Sequence, residues 1–270
     1  MIELRVSRES DINSLKELYK SCFEESDEAL ELFFKRIYKP EICYIVENCG
    51  ELLSMLYLLD TSVNGRKAGY LYAAATKPEA RGGGLMDGLI NFAMATSGAE
   101  LCVTLPASDE LYGYYQKLGF KPLTANIARV TRCELERHAV DYNREDVFVN
   151  NYCGIRNRVL KNNFLFWNNN HINYAFDYNA LYGAKIIKNN FGYLIAYEDN
   201  DVCEVSEIIC DRHNAAYMFS DLLNITKADR FIFRLSPNQD YLPGEPERFA
   251  MAKYKTNYRP DDIYAGLTLE

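Results

Sequence analysis

The run best suited to chemistry in this 270-residue chain is Arg81-Gly82-Gly83-Gly84-Leu85-Met86. Leu85, Leu89 and Ala93, with Met86, Ile90 and Met94 beside them, repeat every four residues, so the spacing predicts a helix starting within or just after the glycines. A glycine turn at a helix start aims several backbone N–H groups into one concavity, where the helix dipole favours negative charge and the missing side chains allow close approach. Arg81 adds a fixed cation there. Such a turn binds an anion, and the expected ligand is a pyrophosphate. Two common phosphate motifs are excluded. The run lacks the lysine of G-x-x-x-x-G-K-[ST], and it follows an antiparallel meander where a dinucleotide fold needs the first strand of a parallel sheet.

Stepping along the chain gives the elements that must hold this turn. Ile2 to Val6 alternates like a strand, and Ser10-Asp11 opens a helix with Ile12, Leu15, Leu18, Tyr19, Cys22 and Phe23 on one face. A second helix starts from Ser26-Asp27 and stops before Pro40. Glu41 to Glu47, Leu52 to Thr61 and Ala68 to Thr76 are predicted as an antiparallel meander, turning at Asn48-Cys49-Gly50 and at Asn64-Gly65. After the glycine turn and its helix, Leu101 to Leu105 reads as a buried strand. Asp109 to Leu118 reads as a short aromatic helix, for which Ser108 and Asp109 supply an N-cap.

Beyond Val130 the composition shifts towards Asn and Tyr. Arg132 to Asn143 reads as a polar connection, Val147 to Leu160 as holding a helix, and Trp167 to Tyr174 as a loop or helix start. Ala184 to Lys188, Gly192 to Tyr197 and Val202 to Cys210 alternate as strands, Asn214 to Ile225 is helical, and Arg230 to Leu235 is a buried strand. Ala250 to Tyr254 and Ile263 to Leu269 read as two closing strands. Meander, helix and strand thus occur twice, a weak internal repeat resting on element order. The expected fold class is α/β of the α+β type, with residues 1–130 and 147–270 as two domains joined by 131–146.

Taken together, Arg81-x-x-Gly84-x-Met86, the strand ending in Pro78-Glu79-x-Arg81-Gly82, and Leu111-Tyr112-Gly113-Tyr114-Tyr115-Gln116-Lys117-Leu118-Gly119-Phe120 resemble the GNAT superfamily of acetyl-CoA-dependent N-acetyltransferases. The first run resembles that family's pyrophosphate motif, [QR]-x-x-G-x-[GA], with Met86 departing from the usual Gly or Ala. The resemblance covers Met1 to about Val130. The second half is more faintly similar to the altered GNAT-like domain of acetyltransferases of the enhanced-intracellular-survival type. There Asp211-Arg212-His213-Asn214 stands where the glycines would be, so that copy is not expected to hold a pyrophosphate.

The resemblance implies a site. Arg81, Gly82, Gly83, Gly84, Leu85 and Met86 would cradle the phosphates of acetyl-CoA as co-substrate. Ala73, Ala74 and Ala75 would leave strand backbone open to the pantetheine arm, and Ser108 and Asp109 would lie along the cofactor. Tyr115 aligns with the family's proton donor, and a phenol with its ordinary pKa of about 10 is protonated at neutral pH; alternatively Tyr112, Tyr114 and Tyr115 are an aromatic core cluster. No acid lies between Tyr70 and Thr76, where many members keep a general base. The relatives with a second GNAT-like domain make Glu270 a candidate through its terminal carboxylate, with Glu79 and acids of the first two helices as alternatives.

The composition, 48% hydrophobic and 25% charged, is that of a folded chain and rules out disorder over most of the length. A formal charge of −8 argues against nucleic acid as partner. No apolar run reaches the roughly 18 residues that span a bilayer, and the start lacks a secretion signal, so the expected location is cytoplasmic with no membrane partner. Eight cysteines without a Cys-x-x-Cys pair, and three histidines with no two at ligand spacing, predict no metal and mostly buried, reduced thiols. The expected activity is acetyl transfer to a primary amine of a small cationic acceptor. A non-catalytic acyl-CoA-binding or sensor protein is the alternative, and a homo-oligomer is left open.

Overall fold

The computed structural model describes residues 2–142, 151–255, 257, 259–260 and 262–267. The chain divides into two compact units. The first contains Met1–Pro122 with Ala250–Arg259, the second Leu123–Phe249 with Pro260–Leu267.

In the first unit, β1 (Ile2–Val6), α1 (Ile12–Cys22) and α2 (Asp27–Arg36) lead into the meander β2 (Cys43–Asn48), β3 (Glu51–Val63) and β4 (Arg66–Thr76). Ser26 caps α2 by accepting from Ala29 N–H. Cys49 and Gly50, then Asn64 and Gly65, all take positive φ, which matches the right-handed twist of the strands they join. The glycine turn follows, then α3 (Leu85–Ser97), β5 (Leu101–Thr104) and α4 (Asp109–Lys117). Alternation along β3 divides the core. Leu56 and Leu58 join Leu71, Leu89, Ile90 and Ala93 under α3. Tyr57 faces the other way, with its ring 4.8 Å from Phe33 of α2.

The second unit begins with β6 (Lys121–Thr131), a strand absent from the sequence reading, which crosses the boundary at Pro122. The stretch read as a connection holds the short helix α5 (Arg132–Glu136), closed by a reciprocal cap between Thr131 and Glu134. The helix expected over Val147 to Leu160 is described as α6 (Tyr152–Leu160); residues 143–150 lie outside the described residues. The Asn-rich run is the first part of a full helix, α7 (Asn169–Leu181), capped by Asn168, which accepts from His171 N–H. Then come β7 (Lys185–Asn189), β8 (Gly192–Asp199), β9 (Val202–Cys210), α8 (Ala215–Ile225) and β10 (Arg230–Leu235). Strand order is β6-β10-β9-β8-β7, with β9 and β10 parallel, as β4 and β5 are in the first unit.

Two expectations about the chain's last part are corrected. The strand β11 (Glu245–Tyr254) does not close the second unit alone: its part from Ala250 belongs to the first, where Met251 to Tyr254 pair antiparallel with Thr104 to Leu101 of β5. No strand occupies 263–267. That segment makes a single bridge, Tyr264 to Phe164, and is held by side chains: Arg156 and Trp167 both donate to Gly266 C=O, at 3.3 and 2.9 Å. Arg156 is fully buried, donates to Leu165 C=O as well, and pairs with Glu207 at 3.0 Å. Of the cysteines, Cys43, Cys102, Cys203 and Cys210 are buried, whereas Cys49 and Cys133 are exposed.

Candidate active site

Strands β4 and β5 run parallel only from Ala68↔Leu101 to Tyr70↔Val103. Thr104 then donates its hydroxyl to Leu71 C=O across 3.3 Å, and beyond this cross-link β4 continues to Thr76 while β5 has ended. The two strands form a fork. On its β3 side β4 carries a bulge: pairing shifts by one residue between Met55 and Tyr57, and Ala73 takes φ 47°. A bulge bends its strand and re-aims the next side chains.

The fork opens into a cleft of about 570 Å³ lined by Ala74, Ala75, Thr76, Arg81, Gly82, Gly84 and Met86, among others. Gly82 and Gly84 stand at φ 82° and 73°, conformations costing an L-residue roughly 1–2 kcal/mol. A Cβ at either would meet nothing within 4 Å, so these glycines answer to the backbone's path and leave the hollow in front of it open. Gly84 is the N-cap of α3, whose first backbone bond runs from Gly88 N–H to Gly84 C=O at 3.2 Å. The N–H groups of that first turn have no acceptor within the helix. They are the donors the cradle offers to an anion. Arg81 is exposed and braced at the rim, its Nε donating to Thr76 C=O at 3.0 Å.

Tyr115, on α4, reaches the same cleft and is 7% exposed, its ring 5.2 Å from Phe120 and 5.4 Å from Tyr114. Core packing and a place at the site are therefore both true of it. Burial drives its phenol pKa upward, against a hydrogen bond with the Thr104 side chain, so the hydroxyl keeps its proton throughout the neutral range. Leu85 also lines the cleft, but Ala73, Gly83, Ser108 and Asp109 do not stand in its wall. Ser108 is the N-cap of α4 and accepts from Leu111 N–H at 3.3 Å. Glu270 lies outside the described residues.

Residues given no place at the site from sequence also stand in the wall: Cys22 and Phe23 where α1 ends, Ala80, Asp87 of α3, and Leu111, Tyr114 and Leu118. A large side chain left partly in water is the available signal, and Tyr114 at 37% exposure carries it. In the second unit the turn after β9 is built differently. Asp211 pairs with Arg158 at 2.7 Å and Arg212 with Asp240 at 3.1 Å, so charged side chains stand where the first unit has bare backbone.

A turn of this kind at a forked strand pair agrees with the comparisons. Residues 3–123 match the acetyltransferase (GNAT) domain family. Residues 3–123 are thus a GNAT acetyltransferase domain. Its fold is similar to that of a GCN5-related N-acetyltransferase from Anabaena variabilis, at 15% identity and a TM-score of 0.70, over 93% of this chain and 72% of that one. It is likewise similar to one from Kribbella flavida, at 14% identity and TM-score 0.65, over 94% and 72%. Eis1 from Mycobacterium abscessus resembles it at 10% identity and TM-score 0.65, over 93% and 73%. These likenesses of fold extend over the second unit as well as the first. No curated protein sequence matches it. Among the described residues no helix is long and apolar enough to cross a membrane. Members of the GNAT family use acyl-CoA and act on small acceptors.

Proposed function

We propose that the first unit transfers an acetyl group from acetyl-CoA to the primary amine of a small cationic acceptor. The observation that carries this reading is the cradle formed by Gly82 and Gly84 with the first turn of α3, at one end of a cleft that also contains the phenol of Tyr115. When bound, acetyl-CoA supplies the activated acyl group.

The chain's own residues have three tasks. Backbone N–H groups at Gly84, Leu85 and Met86 hold the pyrophosphate, and Met86 serves through its main chain, because its side chain is turned into the core under α3. The free edge of β4 at Ala74 and Ala75 offers main-chain groups to the pantetheine amide, with only methyl side chains beside it. Tyr115 gives its proton to the departing thiolate, which needs an acid that is still protonated near pH 7. Proton removal from the acceptor is left to a group outside β4, since that strand has no acid.

Acetyl-CoA titration by calorimetry, followed by free-CoA release across a panel of amines, tests the reading. Binding with turnover is expected, and Gly84→Asp is expected to weaken binding by at least about 100-fold, by adding bulk, charge and backbone strain where the phosphates sit. Unchanged affinity in that variant would move the site elsewhere. Heat without turnover on any amine would favour the acyl-CoA sensor, the reading in which the missing acid on β4 reflects a missing reaction.

A further inference from the structure

Thr104 is the last residue of β5 and lies where the fork opens. It is 3% exposed, and it pairs with Met251 of β11 on the side away from β4. Its hydroxyl donates to Leu71 C=O of β4 at 3.3 Å, which commits its one proton. The Tyr115 hydroxyl bonds to the same side chain, so the phenol is the donor of that bond and the Thr104 oxygen accepts. Thr104 does not stand in the cleft wall, whereas Tyr115 does. A directed chain of hydrogen bonds thus runs from the cleft through Tyr115 and Thr104 to the backbone of β4. The rings packed beside the phenol, those of Phe120 and Tyr114, have centroids 5.2 and 5.4 Å from its own.

We infer that Thr104 is a positioning residue for acetyl transfer, fixing the Tyr115 oxygen while the phenol is neutral and turning its own proton to that oxygen once the phenol has given its proton away. This rests on the reading of Tyr115 as the proton donor and adds the group through which that donor works. As the thiolate leaves, the phenol O–H bond breaks and the S–H bond of CoA forms, which leaves a phenolate. An anion 7% exposed among rings is costly unless a donor reaches it. A hydroxyl hydrogen rotates freely about its C–O bond, so the Thr104 proton turns from Leu71 C=O to the phenolate and makes a charge-assisted bond there. The proton that the acceptor nitrogen loses on becoming an amide restores the phenol, and the turnover balances.

The test measures free-CoA release from acetyl-CoA, with spermidine, n-hexylamine and glucosamine as acceptors, for wild type, Thr104→Val, Thr104→Ser, Tyr115→Phe and the double variant Thr104→Val with Tyr115→Phe. In Thr104→Val, kcat falls about 10–100-fold, as for loss of a hydrogen bond to a charged group, while acetyl-CoA affinity stays within about twofold. Thr104→Ser keeps the hydroxyl and recovers most of the loss. Added to Tyr115→Phe, the Thr104→Val change alters kcat by less than about twofold, because the phenol it serves is already gone. A kcat in Thr104→Val within twofold of wild type overturns the inference while leaving the enzyme reading intact. The full loss persisting in the double variant, or loss of acetyl-CoA affinity in Thr104→Val, marks a structural residue and also overturns it. Wild-type kcat in Tyr115→Phe removes the phenol from the reaction, and no CoA release by wild type with any of the three amines overturns the transferase reading; this inference falls with either.

Discussion

Tyr115 carries two burdens at once, as a ring packed on Phe120 and as a hydroxyl in the cleft, and Tyr115→Phe separates them. The ring and its packing survive the change, so acetyl-CoA affinity should stay within about twofold while kcat falls by roughly 10²–10⁴-fold, the range for losing a positioned acid. Steady-state rates with a calorimetric Kd check this, and equal kcat would remove the phenol from the reaction. At this scale the glycines were legible in the sequence because their demand is local: positive φ at a helix start needs no distant partner. Cys22 and Phe23 were not, since only the docking of α1 on the sheet, through Leu15, Leu18 and Tyr19, brings its end to the cleft. Ser108 shows a third case, where the cap of α4 read from the sequence is the cap in the structure.

Among the elements, α7 has the chemistry to make stability depend on pH. Its His171 is buried, stacked on Trp167 at 3.8 Å and close to Leu267 C=O, and burial holds its pKa down to about 4. In the unfolded chain the imidazole takes up a proton near 6.5. Between these two values the unfolded state binds more protons than the folded one, so stability falls as pH falls from 6.5 towards 4 and is independent of this group above that window. The loss should total about 3 kcal/mol, at ~1.4 kcal/mol per pKa unit. Urea unfolding of wild type and His171→Phe over pH 4 to 7 checks it: the variant keeps a stacked ring and should show the shallower dependence, and equal slopes would place the imidazole in water. The same helix explains a gap in the sequence reading. Its Asn-rich start has weak helix propensity, and its helicity depends on the Asn168 cap and on burying Ile172, Ala175 and Phe176. Strand β6 was missed for a related reason, because Leu123 and Ala125 alternate as a strand should but Pro122 interrupts the signal at its start.

For the whole molecule, the meander-helix-strand order was readable twice over, yet the ownership of β11 was not, because pairing across such a distance leaves no mark on local pattern. Residues 1–130 produced alone therefore lack the strand that covers β5, whose Leu101, Cys102 and Val103 are buried in the complete chain. Such a fragment should aggregate or melt without a cooperative transition, as an uncovered apolar strand edge predicts. Size-exclusion chromatography with a thermal melt reads this directly, and a monomeric fragment with a sharp transition would show that β11 is dispensable. The pairing of Leu101 with Tyr254 also sets a schedule for the newborn chain. Roughly 150 residues separate the partners, so at 5–20 residues per second β5 waits on the order of 10–30 seconds after leaving the ribosome before its neighbour exists. The unit that contains the GNAT domain is thus synthesised first and finished last, and a chaperone acting on this protein has its longest task at β5.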